Sequence, residues 1–137
     1  MTLRLTQEEF DAIRSGISEK KPAKSLVNDN KYKRQLELIF LSLGIEMTPE
    51  FRFHKTRRWM FDWAAEQIMV AVEYEGLPFP GIAKSRHTTI KGFCGDCEKY
   101  SEAAILGWCV IRVNAVSVDS GLAHDLIRRA IDSRRIG

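Results

Sequence analysis

The sequence predicts an α/β domain built on a mixed sheet, and three observations carry that expectation. Apolar residues recur at three- and four-residue spacing from Tyr32 to Leu43, the mark of a helix buried on one face. The period then drops to two from Phe51 to Tyr74, which reads as three consecutive strands and hence antiparallel pairing. A helical stretch at residues 96–106 separates these strands from an apolar run at 108–113, and a helix so placed is the crossover that a parallel pair requires. The expected order is helix, three antiparallel strands, helix, strand, helix.

Thr6-Gln7-Glu8-Glu9 reads as a capping box, with Phe10, Ile13 and Ile17 at helical spacing behind it and Gly16 as the stop. Residues 18–25, with Lys20, Lys21, Pro22 and Lys24, have linker composition. Residues 1–27 are therefore expected to form an N-terminal helix and linker, and residues 28–137 the core. Asn28 or Asp29 caps the first core helix, which turns Tyr32, Leu36, Ile39, Phe40 and Leu43 inward and ends at Gly44. In the strands, Phe51 and Phe53 alternate with Arg52 and His54. Trp59, Phe61 and Trp63 alternate with Met60, Asp62 and Ala64, and Ile68, Val70, Val72 and Tyr74 alternate with Met69, Ala71, Glu73 and Glu75. Residues 76–92 are rich in Gly, Pro, Lys, Arg, His and Thr, a connection long enough to suggest a working loop. The helix at 96–106 directs Tyr100, Ala103, Ala104 and Leu106 inward and stops at Gly107. The last helix, near 120–133, carries Leu122, Leu126, Ile127 and Ala130.

A chain of 137 residues that is 45% hydrophobic and 28% charged fits one globular core and excludes a disordered tail, a collagen-like repeat or a disulfide-stapled miniature domain. No uncharged apolar run approaches the roughly 18 to 20 residues that span a bilayer. The first ten residues carry Arg4, Glu8 and Glu9 where a signal peptide is apolar. A cytoplasmic location with reduced thiols is expected, since Cys94, Cys97 and Cys109 are an odd number. Cys94 and Cys97 form a C-x-x-C that, with Cys109 or His87, suggests zinc, but four ligands at usual zinc spacing are not visible. The net charge of +3 is small, yet its carriers are bunched: Arg52, Lys55, Arg57 and Arg58, then Lys84, Arg86 and Lys91, then Arg128, Arg129, Arg134 and Arg135. Such clusters point to a polyanionic partner.

The segment from Trp59 to Gly76 carries the chemistry. If the turn between its two strands holds an even number of residues, Asp62 lands opposite or diagonal to Glu73 on the same face, with Glu75 beyond it. Cross-strand Cβ atoms on one face lie about 4.5 to 5.5 Å apart directly and about 7 to 8 Å diagonally. Carboxylates that close repel unless a cation or a shared proton compensates, and Mg²⁺ or Mn²⁺, which takes oxygen ligands and leaves positions for phosphate, is the economical cation. The plain alternative is a set of solvated acids on an edge hairpin. Met60, Ala64, Met69 and Ala71 share the face and favour a covered one. Asp96, Lys99 and Tyr100 form one helix face, from which Lys99 could orient an attacking water and stabilise a phosphorane-like transition state, or simply be solvated. Arg52, His54, Lys55, Arg57 and Arg58 precede these acids, and Lys84, Arg86, His87 and Lys91 follow them. The pocket would thus be ringed by phosphate-binding groups that set affinity without reading sequence.

The order of Asp62, Glu73-Tyr74-Glu75-Gly76, Arg86-His87, Asp96-Cys97-Glu98-Lys99-Tyr100 and Gly107-Trp108-Cys109-Val110-Ile111-Arg112 resembles the PD-(D/E)XK nuclease superfamily. More narrowly, it is similar to small phage and prophage nucleases of the Holliday junction resolvase-like and very-short-patch-repair-like types. The likeness runs over about residues 31–131. Its most specific parts are Glu50-Phe51-Arg52-Phe53-His54, Arg58-Trp59-Met60-Phe61-Asp62 and Glu73-Tyr74-Glu75-Gly76. The resemblance implies a restriction-endonuclease-like fold, Mg²⁺-dependent (or Mn²⁺-dependent) DNA phosphodiester hydrolysis, and Asp62 and Glu73 as metal ligands. The superfamily places a lysine two residues after the glutamate, where this chain has Glu75. Either Glu75 is a third ligand and Lys99 replaces the lysine, or the fold is catalytically silent and only binds DNA or a partner. Glu50, with Glu37 as competitor, is the further acid that such sites often include. A resolvase acting on branched DNA would be a homodimer in a bacterial host cell; the enzyme alternative is a monomeric mismatch or flap nickase.

Overall fold

Tyr32, Leu36 and Phe40, spaced by four, are the buried stripe of helix α1 (Asp29–Ser42) in the computed structural model. The structure describes residues 6–8, 29–76 and 90–135. Gln7 and Glu8 are helical; the rest of the expected N-terminal helix, the linker and most of the loop after Gly76 lie outside the described residues. Close backbone contacts divide the chain into two units, one of Met1–Asn28 and Leu77–Lys99, the other of Asp29–Gly76 and Tyr100–Gly137. The second unit holds the sheet.

α1 ends at Gly44, whose φ of +67° suits a glycine because it has no Cβ to clash. The chain then enters β1 (Thr48–Arg52), β2 (Met60–Ala65) and β3 (Val70–Tyr74). Helix α2 (Ile90–Ile105) leads to β4 (Cys109–Val113), followed by the short α3 (Ala115–Asp119) and by α4 (Leu122–Arg135). The sheet order is β1-β2-β3-β4. β1–β2 and β2–β3 are antiparallel and β3–β4 is parallel, as the strand run and the crossover helix predict. Among the described residues no helix is long and apolar enough to cross a membrane.

The elements differ from the sequence expectation at their ends. β3 begins two residues late because Glu66–Ile68 forms a 3-10 turn and Met69 takes a left-handed φ of +52°. α2 begins at Ile90, six residues before the expected start, although Gly92 and Gly95 lower its helix propensity. Ala104 and Leu106, expected inward, are exposed, as is Leu122. Helix α3 was not foreseen. Asn114 caps it with a reciprocal box, its side chain accepting from the Ser117 amide at 3.0 Å while the Ser117 hydroxyl accepts from the Asn114 amide at 2.9 Å.

Each face of the sheet has its own apolar layer. On one, Trp63 packs edge-on against Phe40 with centroids 5.4 Å apart, and α4 lies over β3 and β4. On the other, Phe61, Ala64, Ala71, Ala103 and Trp108 are buried together, with Phe51, Phe53, Met69 and Val110 against them. Strict alternation would send Phe61 to the same face as Trp63. Phe61 instead stacks on Phe53 at 4.1 Å and meets Trp108 at 5.1 Å, so the period-two pattern of β2 breaks between Phe61 and Asp62.

Tyr74, at the end of β3, locks α1 to the sheet. Its hydroxyl donates to Asp29 Oδ1 at 2.9 Å and its ring stacks on Tyr32, which donates to Asp119 Oδ2 at 2.7 Å. Burial first, then the Asp29 hydrogen bond, pushes the Tyr74 phenol well above the ordinary tyrosine range. The hydrogen bond to Asp119 raises that of Tyr32. A pKa raised by folding contributes stability that is whole below the unfolded value of about 10 and is lost as pH rises beyond it. Tyr74→Phe is therefore expected to lower stability by about 1 kcal/mol at neutral pH and to flatten the loss above pH ~10. Denaturant midpoints across pH check both; equal alkaline slopes in the two proteins would refute the second.

Candidate active site

Asp62 and Glu73 meet where the β2–β3 ladder opens. The paired residues run Ala65↔Val70, Ala64↔Ala71 and Trp63↔Val72, so the four residues from Glu66 to Met69 form the even-numbered connection that places Asp62 opposite Glu73. At this next step the carboxylates take over the bonds of the backbone. The Asp62 amide donates to Glu73 Oε2 at 2.9 Å, and the Tyr74 amide donates to Asp62 Oδ2 at 2.8 Å. Each acid thus holds the other's strand.

Glu73 is 5% exposed, the one buried charged side chain among the described residues. A buried carboxylate is tolerable only when hydrogen-bonded, and a second donor comes from α2: the Tyr100 hydroxyl lies 2.6 Å from Glu73 Oε1. Burial first, then the Glu73 hydrogen bond and the charges of Glu73 and Glu75, push the Tyr100 phenol far above the ordinary tyrosine range, against the opposing pull of Arg112. Tyr100 is thereby a fixed donor at neutral pH.

Glu75 follows β3, its amide donating to the Val113 carbonyl at 2.7 Å. Its carboxylate faces a cation from β4: Arg112 Nε lies 3.1 Å from Glu75 Oε2, and the Arg112 guanidinium sits 4.4 Å from the centre of the Tyr100 ring. The sequence reading looked to a metal alone for a compensating cation, whereas Arg112 supplies one from the sheet itself. Tyr100 and Arg112 are the site residues that sequence reasoning missed. The parallel register Glu73↔Arg112 could have pointed to Arg112 once β3 and β4 were taken as neighbours.

Glu50 has a left-handed φ of +49° and is exposed. The β1–β2 register, Pro49↔Trp63 and Phe51↔Phe61, sets it across from Asp62 on the neighbouring strand. Glu37 is exposed on α1. Lys99 immediately precedes Tyr100 on α2 and is half-buried. Among the described residues no group of three His, Cys, Asp or Glu side chains is arranged as a metal cage. The structure brings together the Asp62–Glu73 pair, whose hard oxygen donors are the kind that Mg²⁺ or Mn²⁺ takes. Cys94 and Cys97 are exposed on α2 and Cys109 is half-buried on β4, all as free thiols.

Among the basic residues, Arg52 is exposed at the end of β1, and Lys55, Arg57 and Arg58 are exposed on the β1–β2 connection. The Arg57 guanidinium lies 4.0 Å from the centre of the Trp59 ring. Lys91 is exposed in the first turn of α2; Lys84, Arg86 and His87 lie outside the described residues. His54 serves this connection from within. Its Nδ1 accepts from the Thr56 amide at 3.3 Å and the Arg57 amide at 3.1 Å, which leaves Nε2 as the protonated nitrogen facing Glu102 Oε1 at 3.1 Å. On α4 two of the four arginines are matched by acids: Arg128 bonds Asp125 and Asp132, and Arg129 bonds Asp125, while Arg134 donates to the Gly107 carbonyl. The Arg128 bond is the chief reason why the Asp125 carboxyl is held below its usual range.

No protein-family model and no curated protein sequence matches the chain. Among solved structures, the catalytic domain of the homing endonuclease I-Bth0305I is similar, with a TM-score of 0.56 and 16% identity, over 74% of this chain and 94% of that one. At that identity the likeness is one of fold: the four-stranded mixed sheet with its helices is an endonuclease-like α/β fold.

Removing the His54 ring takes an acceptor from two backbone amides. His54→Ala is expected to speed hydrogen exchange at Thr56 and Arg57 about 2- to 10-fold, as a lost hydrogen bond of about 0.5 to 1.5 kcal/mol implies, and to leave the Asp62 amide unaltered. Unchanged exchange at Thr56 and Arg57 would show that the ring does not hold the loop.

Proposed function

We propose that the chain is a divalent-metal-dependent endonuclease that hydrolyses DNA phosphodiesters. The observation that carries the reading is the placement of Asp62 and Glu73 side by side at the opened end of the β2–β3 ladder, in a fold shared with a homing endonuclease's catalytic domain. Two carboxylates fixed at such a point are a ready pair of oxygen ligands. In this reading Asp62 and Glu73 hold Mg²⁺ or Mn²⁺, with Glu75 beside them and Glu50 across from Asp62. The metal supplies an activated water and offsets charge on the leaving oxygen. Lys99 assists the attack. Arg52, Lys55, Arg57 and Arg58 on the β1–β2 connection, with Lys84, Arg86, His87 and Lys91 beyond β3, hold the phosphates, contacts that fix position without selecting sequence. Branched DNA is the proposed substrate. Cutting a four-way junction symmetrically needs two sites related by a twofold axis, hence a homodimer.

A second reading, a silent nuclease fold that binds DNA, is favoured by one feature. Glu75 occupies the place of the superfamily's lysine and is held by Arg112.

Labelled four-way junction, flap and linear duplex incubated with Mg²⁺, Mn²⁺ or EDTA separate these readings. The expected result is paired symmetric nicks in the junction, abolished by EDTA and reduced at least ~100-fold in Asp62→Asn, since losing a ligand does more than the 10- to 100-fold loss typical of its supporting groups. Equal cutting of all three substrates would remove the junction preference. Binding without products on any of them would establish the silent fold.

A further inference from the structure

We propose that Tyr100 is a positioning residue for the metal-binding carboxylate of Glu73, supported from behind by Arg112. The inference rests on the nuclease reading above and adds to it two residues to which the sequence analysis gave no role at the site.

The geometry carries the argument. Glu73 Oε2 is fixed by the Asp62 amide and Oε1 by the Tyr100 hydroxyl, at 2.9 and 2.6 Å. The two donors come from different elements, β2 and α2, so the plane of the carboxylate is set by the sheet and the crossover helix together. A carboxylate offers about four lone-pair directions, so these two hydrogen bonds orient it without by themselves exhausting it. Tyr100 is in turn held by Arg112, whose guanidinium lies 4.4 Å from its ring centre while its Nε bonds Glu75 Oε2 at 3.1 Å. Arg112 thus has one face on an aromatic ring and one edge on a carboxylate, the two contacts that suit a planar guanidinium. The chain of contacts runs Glu75, Arg112, Tyr100, Glu73, closing a loop between residues two apart in the sequence. Groups that hydrogen-bond a metal ligand typically alter metal affinity or activity by about 10- to 100-fold when removed.

The test is Mn²⁺ binding to the DNA-free 137-residue chain by titration calorimetry, with cleavage measured against Mn²⁺ concentration in parallel. Tyr100→Phe keeps the ring and removes the donor. It is expected to weaken Mn²⁺ binding about 10- to 100-fold, to shift the Mn²⁺ requirement for cleavage by the same factor, and to regain most of the wild-type rate at saturating Mn²⁺. A lower melting temperature with unchanged Mn²⁺ affinity would reduce Tyr100 to a packing residue and overturn the proposal. Should Tyr100→Phe not fold, Arg112→Gln decides at a side chain that is about half exposed: weakened Mn²⁺ binding supports the proposal and unchanged binding overturns it. A wild type that neither binds Mn²⁺ nor cuts DNA removes the nuclease reading and this inference with it. A wild type that does both beside an indistinguishable Tyr100→Phe removes this inference alone.

Discussion

Burying the charge of Glu73 is the constraint around which the sheet is arranged. An isolated carboxylate taken out of water costs several kcal/mol, and the protein offsets this with an amide from β2 and a phenol from α2. The price in regularity is visible nearby: the β2–β3 ladder gives up backbone pairing at Asp62 and Glu73, and β2 loses its alternation between Phe61 and Asp62. The irregularity is concentrated where two oxygen-rich side chains are needed at close range.

The aromatic residues make that irregularity tolerable. Phe61, displaced from the face of Trp63, lies on Phe53 and against Trp108, and Phe53 stacks in turn on Trp59 at 6.2 Å. Large rings remove much apolar surface from water, and here they do so beside the break in β2. His54 contributes differently, spending one ring nitrogen on the loop backbone and the other on Glu102. The basic side chains that follow it are therefore displayed from an anchored connection.

Much of the fold was legible because its signals are local and periodic. The four-residue spacing of Tyr32, Leu36 and Phe40 specified α1, and the helix between β3 and β4 supplied the crossover that their parallel pairing requires. That Asp62 and Glu73 share a face followed from parity, since any even connection between β2 and β3 sets them opposite or diagonal; the register Trp63↔Val72 makes them opposite. What could not be read depends on elements meeting across the crossover. Tyr100 looked like one apolar position of α2, and Arg112 like the exposed member of a strand, until β4 was set beside β3. Helix α2 began early despite two glycines, because helix propensity is only a weak prior. The break at Phe61 was hidden for another reason: Trp59, Phe61 and Trp63 display a flawless period of two, and only the contacts of Phe61 with Phe53 and Trp108 reveal that the backbone does not follow it.

The reciprocal holding of strands by Asp62 and Glu73 means that these positions do not make separable contributions. Replacing either acid by an apolar residue deprives one amide of its acceptor and also removes a neighbour that the other acid was placed to face. Substituting both removes the mutual repulsion together with the bonds. Their effects on stability should consequently be sub-additive, with a coupling in the range of about 0.5 to 3 kcal/mol found for groups in one network. Position 74 belongs to the same unit: its amide serves Asp62 while its side chain serves Asp29 on the opposite face. The heritable variation open to these positions is accordingly joint, and a replacement at one is judged by what stands at the other two.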